Sequence, residues 1–251
     1  MSSSRLKAAA PSVVTSGNLV VGLVSIALSA MGHFEGAAWA IVYCGILDKA
    51  DGTLARALKV QSSFGMEMDS FADYTSFGLA PAALTWFLCT AAGIPAFPLW
   101  VWIGGAAALV PVAAAIRLAR FNSVSHEDPT YFSGVPTTMV AGMFATLYLS
   151  LVDLKIPMDP VWIMPSAAIA GAALMVCGLR VPKIKGSAQR WKNVLLVGIL
   201  LALTILAVAQ VLPEVMFGLG FFYVVIGSLR SRRTDGQGPG VGVSSRPGGE
   251  A

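Results

Sequence analysis

The chain has 251 residues, 56% of them hydrophobic and only 12% charged, with a mean hydropathy of +0.73. A soluble domain carries about a quarter charged residues, so this composition excludes an ordinary water-soluble globule and points to an integral membrane protein. The net charge of +4 comes from basic residues that flank apolar runs, a pattern of membrane orientation, so no nucleic-acid partner is expected.

A helix that spans a bilayer takes about 20 mostly apolar residues. Eight runs are read as spans on that basis, at 12–32, 36–58, 69–92, 98–120, 136–154, 159–180, 193–212 and 215–230. The expected fold is therefore all-α, a polytopic membrane helical bundle. Arg5 and Lys7 ahead of the first run mimic a signal peptide, but the run is long, lacks a small-x-small cleavage site and is followed by more spans. It is taken as the first helix. Pro95, Pro98, Pro157, Pro160 and Pro213 punctuate the later connections, as helix breakers do. Residues 1–231 are expected to form one membrane-embedded domain, and 232–251, with Gly236, Gly238, Gly240, Gly242 and Pro247, a disordered cytoplasmic tail. Cys44, Cys89 and Cys177 all lie in apolar runs and read as small buried hydrophobes. His33 and His126 have no ligand-like neighbours in sequence.

Of the 17 Lys and Arg, all but Lys49 and Lys155 fall at one set of alternating span ends. They are Arg5 and Lys7; Arg56 and Lys59; Arg117 and Arg120; Arg180, Lys183, Lys185, Arg190 and Lys192; and Arg230, Arg232, Arg233 and Arg246. Eight spans with both termini in the cytoplasm satisfy the positive-inside rule at every turn. The junction of the second and third spans then faces the cytoplasm.

That junction carries the chemistry. Asp48, Asp51, Gly52, Ala55 and Arg56 end the second span, and Gly65, Asp69 and Asp73 begin the third, in the pattern D-x2-D-G-x2-A-R-x8-G-x3-D-x3-D. At about 100° per residue, Asp51, Gly52, Ala55 and Arg56 fall within about 80° of Asp48, on one helical face. Asp69 and Asp73 are one turn apart, about 6 Å along the axis. Two neighbouring antiparallel helices thus aim four carboxylates at one another. Like charges in a low dielectric cannot stand unpaired, and a hard divalent cation neutralises them best. Oxygen-only ligation suits Mg²⁺, Mn²⁺ or Ca²⁺, and the lack of nearby His or Cys argues against zinc. Gly52 and Ala55 leave either a groove where a ligand approaches the backbone or a surface for close helix packing. Arg56 suits a phosphate clamp or an interfacial anchor. Gly65 reads as shaping the turn into the third span.

These eight positions resemble, without exception, the signature of the CDP-alcohol phosphotransferase family. Two further segments resemble its serine-accepting branch, the CDP-diacylglycerol–serine O-phosphatidyltransferases. One is Pro11-Ser12-Val13-Val14-Thr15-Ser16-Gly17-Asn18-Leu19. The other is Arg117-Leu118-Ala119-Arg120-Phe121-Asn122, followed by Tyr131-Phe132-Ser133-Gly134-Val135-Pro136. The resemblance covers roughly residues 8–140, with Ser12 standing where that branch often has Asn.

The resemblance implies a six-helix core followed by two extra helices, a homodimer, and transfer of a phosphatidyl group from CDP-diacylglycerol to the L-serine hydroxyl with release of CMP. It implies two divalent cations, Mg²⁺ or Mn²⁺, held by Asp48, Asp51, Asp69 and Asp73, with Asp73 doubling as general base. Gly52, Ala55 and Arg56 are implied to hold the cytidine and diphosphate, with Asn18 and Gly65 grouped beside them. Arg117 and Arg120 suit the serine carboxylate or the membrane interface, and Asn18 and Asn122 each suit either ligand or helix cap. A prokaryotic inner membrane is the expected location, with the site on the cytoplasmic side. The alternatives are glycerol phosphate, inositol phosphate or choline as acceptor, an archaeal-type donor lipid, and a cation transporter using intramembrane carboxylates.

Overall fold

The computed structural model describes residues 3–58, 62–91, 93, 96–123, 131–157, 159–182, 198 and 202–235. The chain runs through α1 (Ser3–Ala30), α2 (Phe34–Leu58), α3 (Ser63–Asp73), a π-helical stretch (Tyr74–Leu79), α4 (Ala80–Cys89) and α5 (Leu99–Ser123). Strand β1 (Tyr131–Ser133), α6 (Thr137–Asp153), α7 (Pro160–Val176) and strand β2 (Arg180–Pro182) follow. Residues 202–208 are helical, and α8 spans Pro213–Asp235. The α3, π and α4 stretches are contiguous, so the expected third span is a rod from Ser63 to Cys89.

Local chemistry sets the ends. Gly32, at φ +81°, lets α1 close with His33 N–H on Leu28 C=O (2.9 Å) and Gly32 N–H on Ser29 C=O (3.1 Å), the Schellman pattern. Lys155 and Gln210 take the same left-handed position after α6 and after residues 202–208. Ser62 caps α3, its Oγ accepting from Gly65 N–H at 3.0 Å. The third rod therefore starts six residues before the apolar run suggested, and Gly65 sits in its first turn instead of in a loop. Asp159 caps α7 through Val161 N–H (3.1 Å), with Pro160 at the first helical position.

α1 packs along α2 and against the α3–α4 rod, α5 packs on α7, and α6 fits between α2 and α8. Phe77, Ile41, Leu84, Ile103, Met164 and Met175 are fully buried among these faces. The antiparallel order puts the C-terminal ends of α2, α5 and α7 beside the N-terminal ends of α3 and α6. Two helices, Ser12–Ala30 and Leu99–Ser123, are long and apolar enough to cross a membrane; Thr137–Asp153, Pro160–Val176 and Pro213–Ser228 are apolar but shorter.

One element departs from the helical expectation. The run read as a span to residue 180 stops at Val176, and Arg180–Pro182 pairs antiparallel with Tyr131–Ser133. Gly134 makes this possible. At φ +79° it donates to Leu179 C=O (2.8 Å) while Val135 N–H donates to Leu174 C=O (3.0 Å). The ribbon and turn thereby pin the start of α6. Of the expected seventh span, 193–197 and 199–201 lie outside the described residues, as do His126 and 236–251 of the expected tail.

Candidate active site

The site lies where α2 and α3 face each other, with α1, α5 and α6 around it. Asp48, Asp51 and Asp69 each offer a carboxylate oxygen, and the three oxygens lie within 4.8 Å of one another. Asp73, one turn beyond Asp69, interacts electrostatically with all three and with Arg117. Asp69 Oδ1 and Asp73 Oδ1 are buried and have no hydrogen-bond partner. A buried carboxylate oxygen without a donor costs on the order of 1–3 kcal/mol or more. Two such atoms among four acidic side chains form a donor set that fits hard divalent cations.

Hydroxyls from other helices hold the remaining carboxylates. Thr15 Oγ1 on α1 donates to Asp51 Oδ2 at 2.9 Å, and only 4% of Asp51 is exposed. Thr138 Oγ1 on α6 donates to Asp48 Oδ2 at 3.2 Å. Three residues along α1 from Thr15, Asn18 is completely buried. Ser76 Oγ donates to its backbone oxygen (3.1 Å) and its Oδ1 (3.2 Å), and Cys44 Sγ donates to the same backbone oxygen (3.6 Å). Asn18 Nδ2 has no partner. Ser76 belongs to the π stretch that begins straight after Asp73. Such a wide turn re-aims the helix and is frequent at functional sites. Gly22 admits it, since a Cβ there would lie 2.5 Å from Ser76 Oγ.

The other expected residues divide. Gly52 is exposed, and a Cβ added to it would meet nothing within 4 Å among the described residues, which leaves room for a ligand at that point of α2. Ala55 and Arg56 lie in the α2 backbone, and their side chains are outside the described set. Gly65 donates its N–H to the Ser62 cap. Arg117 is half-buried and its Nη1 donates to Thr137 Oγ1 at 3.5 Å, beside Asp73. Arg120 points elsewhere. It is exposed, and its Nη1 donates to Val176 C=O at 3.3 Å, closing the C-terminal end of α7. Asn122 Nδ2 donates to Ser70 Oγ at 2.9 Å and ties α5 to α3. Lys49 is exposed, and its ammonium interacts electrostatically with Asp48.

Thr15, Thr138 and Ser76 are the site residues that sequence reasoning passed over. Thr15 had a signal, because it shares a helical face with Asn18 at a spacing of three. Thr138 had none, being 90 residues from its partner.

Residues 8–179 match the CDP-alcohol phosphatidyltransferase family. The chain belongs to that family. A CDP-diacylglycerol–serine O-phosphatidyltransferase from Helicobacter pylori is 31% identical over 220 residues, covering 86% of this chain and 89% of its own. One from Bacillus subtilis is 32% identical over 177 residues, 70% of this chain and 90% of its own. An archaetidylserine synthase from Methanothermobacter thermautotrophicus is 28% identical over 180 residues, 71% of each chain. As a family member, this CDP-alcohol phosphatidyltransferase is an enzyme, and its aspartate pattern falls within the matched residues.

Proposed function

We propose that this protein transfers a phosphatidyl group from CDP-diacylglycerol to L-serine, giving phosphatidylserine and CMP. The observation that carries this reading is the carboxylate cluster with its two partnerless buried oxygens, on Asp69 and Asp73. The names of the bacterial relatives support serine as acceptor.

In this mechanism Asp48, Asp51, Asp69 and Asp73 hold two divalent cations, Mg²⁺ or Mn²⁺. Bound there, the cations would neutralise diphosphate charge and stabilise the leaving CMP. The nucleotide end of the donor lies along the open face at Gly52, with Ala55, Arg56, Asn18 and Gly65 nearby. Arg117 offers its guanidinium to the serine carboxylate. Asp73 Oδ1 accepts the proton of the serine hydroxyl as that oxygen attacks the phosphorus bearing the diacylglycerol. The bond from that phosphorus to the bridging oxygen breaks, and CMP leaves with the bridging oxygen. Asp73 then holds the proton until release.

The helices cross a prokaryotic cytoplasmic membrane, with the carboxylate end on the cytoplasmic side. Support comes from the alternation of Lys and Arg and from exposed apolar side chains such as Val20, Leu23, Leu109, Val112 and Ile116, which water would not favour. At that depth a soluble alcohol meets a lipid-anchored nucleotide. Residues 1–231 act as one domain within a homodimer. The acceptor is tested with purified protein, Mn²⁺ or Mg²⁺ and CDP-diacylglycerol, offered serine, glycerol phosphate, inositol phosphate or choline in turn. CMP release is expected with serine, and release only with another acceptor would overturn the assignment. A donor with ether-linked tails, run in parallel, tests the likeness to the archaeal relative.

A further inference from the structure

The acidic residues of the site come from α2 and α3 alone, yet two hydroxyls reach it from α1 and α6. Several threonines elsewhere in the chain turn inward on their own backbone. Thr53, Thr75, Thr85 and Thr146 donate to the carbonyls four residues earlier, at 2.7–2.9 Å. Thr15 and Thr138 instead cross to another helix, and each donates to an aspartate Oδ2, on Asp51 and Asp48. The χ2 torsion of an aspartate is otherwise broad; a donor on one oxygen sets the plane of the carboxylate and so the direction of the other. Thr15 and Asp51 are both buried, which strengthens that hold. Asp69 and Asp73 differ, each keeping a buried oxygen with no donor. The Gly134 turn and the β1–β2 ribbon fix the first turn of α6, where Thr138 sits.

We propose that Thr15 and Thr138 are positioning residues that clamp Asp51 and Asp48 from two different helices in the orientation that binds the cations, a role that presupposes the cation-dependent reading above. Carboxylates that ligate metals depend on such outer hydrogen bonds, and losing one costs about 10- to 100-fold in metal affinity or activity.

The test measures Mn²⁺ binding to purified full-length protein without substrate, by paramagnetic resonance or calorimetry, alongside the Mn²⁺ dependence of CMP release. Thr15→Val keeps the side-chain shape and removes the donor. It is expected to weaken Mn²⁺ binding roughly tenfold or more and to raise the Mn²⁺ concentration for half-maximal release to match. Thr138→Val is expected to do the same to a smaller degree, through its longer bond. Thr15→Ser and Thr138→Ser, which keep the hydroxyl, are expected to restore most of the affinity. Thermal unfolding confirms that each variant is folded. If Thr15→Val does not fold, Thr138→Val and the serine variants decide. Wild-type Mn²⁺ affinity in folded valine variants, or equal losses in the valine and serine variants, would overturn the clamp. Asp69→Asn is run beside them; unchanged Mn²⁺ binding in that variant would sink the cation site itself and not the clamp alone.

Discussion

Replacing Gly52 with alanine is expected to stabilise the protein and damage the enzyme. Gly52 lies inside α2, and a Cβ there would meet nothing within 4 Å. Glycine in a helix interior costs about 0.5–1 kcal/mol relative to alanine, so Gly52→Ala should raise the unfolding temperature by about 2 °C. If the open face instead receives the nucleotide diphosphate, the new methyl enters a filled contact in the complex. Overpacking by a methyl costs about 1–3 kcal/mol, which corresponds to a loss in kcat/KM of roughly 5- to 140-fold at 1.4 kcal/mol per decade. The assay pairs thermal unfolding in detergent with CMP release across CDP-diacylglycerol concentrations. Wild-type kcat/KM in a stabilised variant would show that nothing approaches this face and would refute the groove. A destabilised variant would refute the open geometry.

Two further substitutions probe the surroundings. Gly134→Ala is expected to destabilise strongly, because the left-handed backbone at φ +79° costs alanine about 1–2 kcal/mol and its Cβ would lie 2.5 Å from Met175 O. Thermal unfolding reads this out, and a wild-type transition would contradict the turn. Arg117→Ala is expected to raise the KM for serine far more than Arg120→Ala. Arg117 lies beside Asp73, whereas Arg120 caps α7 through an exposed bond of the kind worth about 1 kcal/mol or less. Equal effects in serine titrations would contradict that division.

Much of the site was legible because its spacing is local. Asp48 and Asp51 lie within one helical turn, as do Asp69 and Asp73, so helical periodicity alone puts each pair on a face. Short connections make neighbouring helices antiparallel, which brings Asp69 to Asp48 and Asp51. Contacts set by tertiary packing were not legible in the same way. The Thr138–Asp48 bond depends on a turn at Gly134 whose partner carbonyls come from residues 174 and 179. Hydropathy could not see β2, because the apolar run continues through Val176 while the chain leaves the helix. The π stretch after Asp73 also left no trace in periodicity, being one extra residue in an apolar sequence that still reads as helix. Arg117 and Arg120 share a helical face by spacing, yet their long side chains diverge, one toward Thr137 and one toward Val176.

Asp73→Asn tests the central claim most directly. The substitution keeps the size of the side chain and removes its capacity to accept a proton, which general-base catalysis values at roughly 100- to 10,000-fold. Purified Asp73→Asn protein with Mn²⁺, CDP-diacylglycerol and serine is expected to release no CMP above background while still binding the CDP-lipid. Wild-type turnover in that variant would contradict the account.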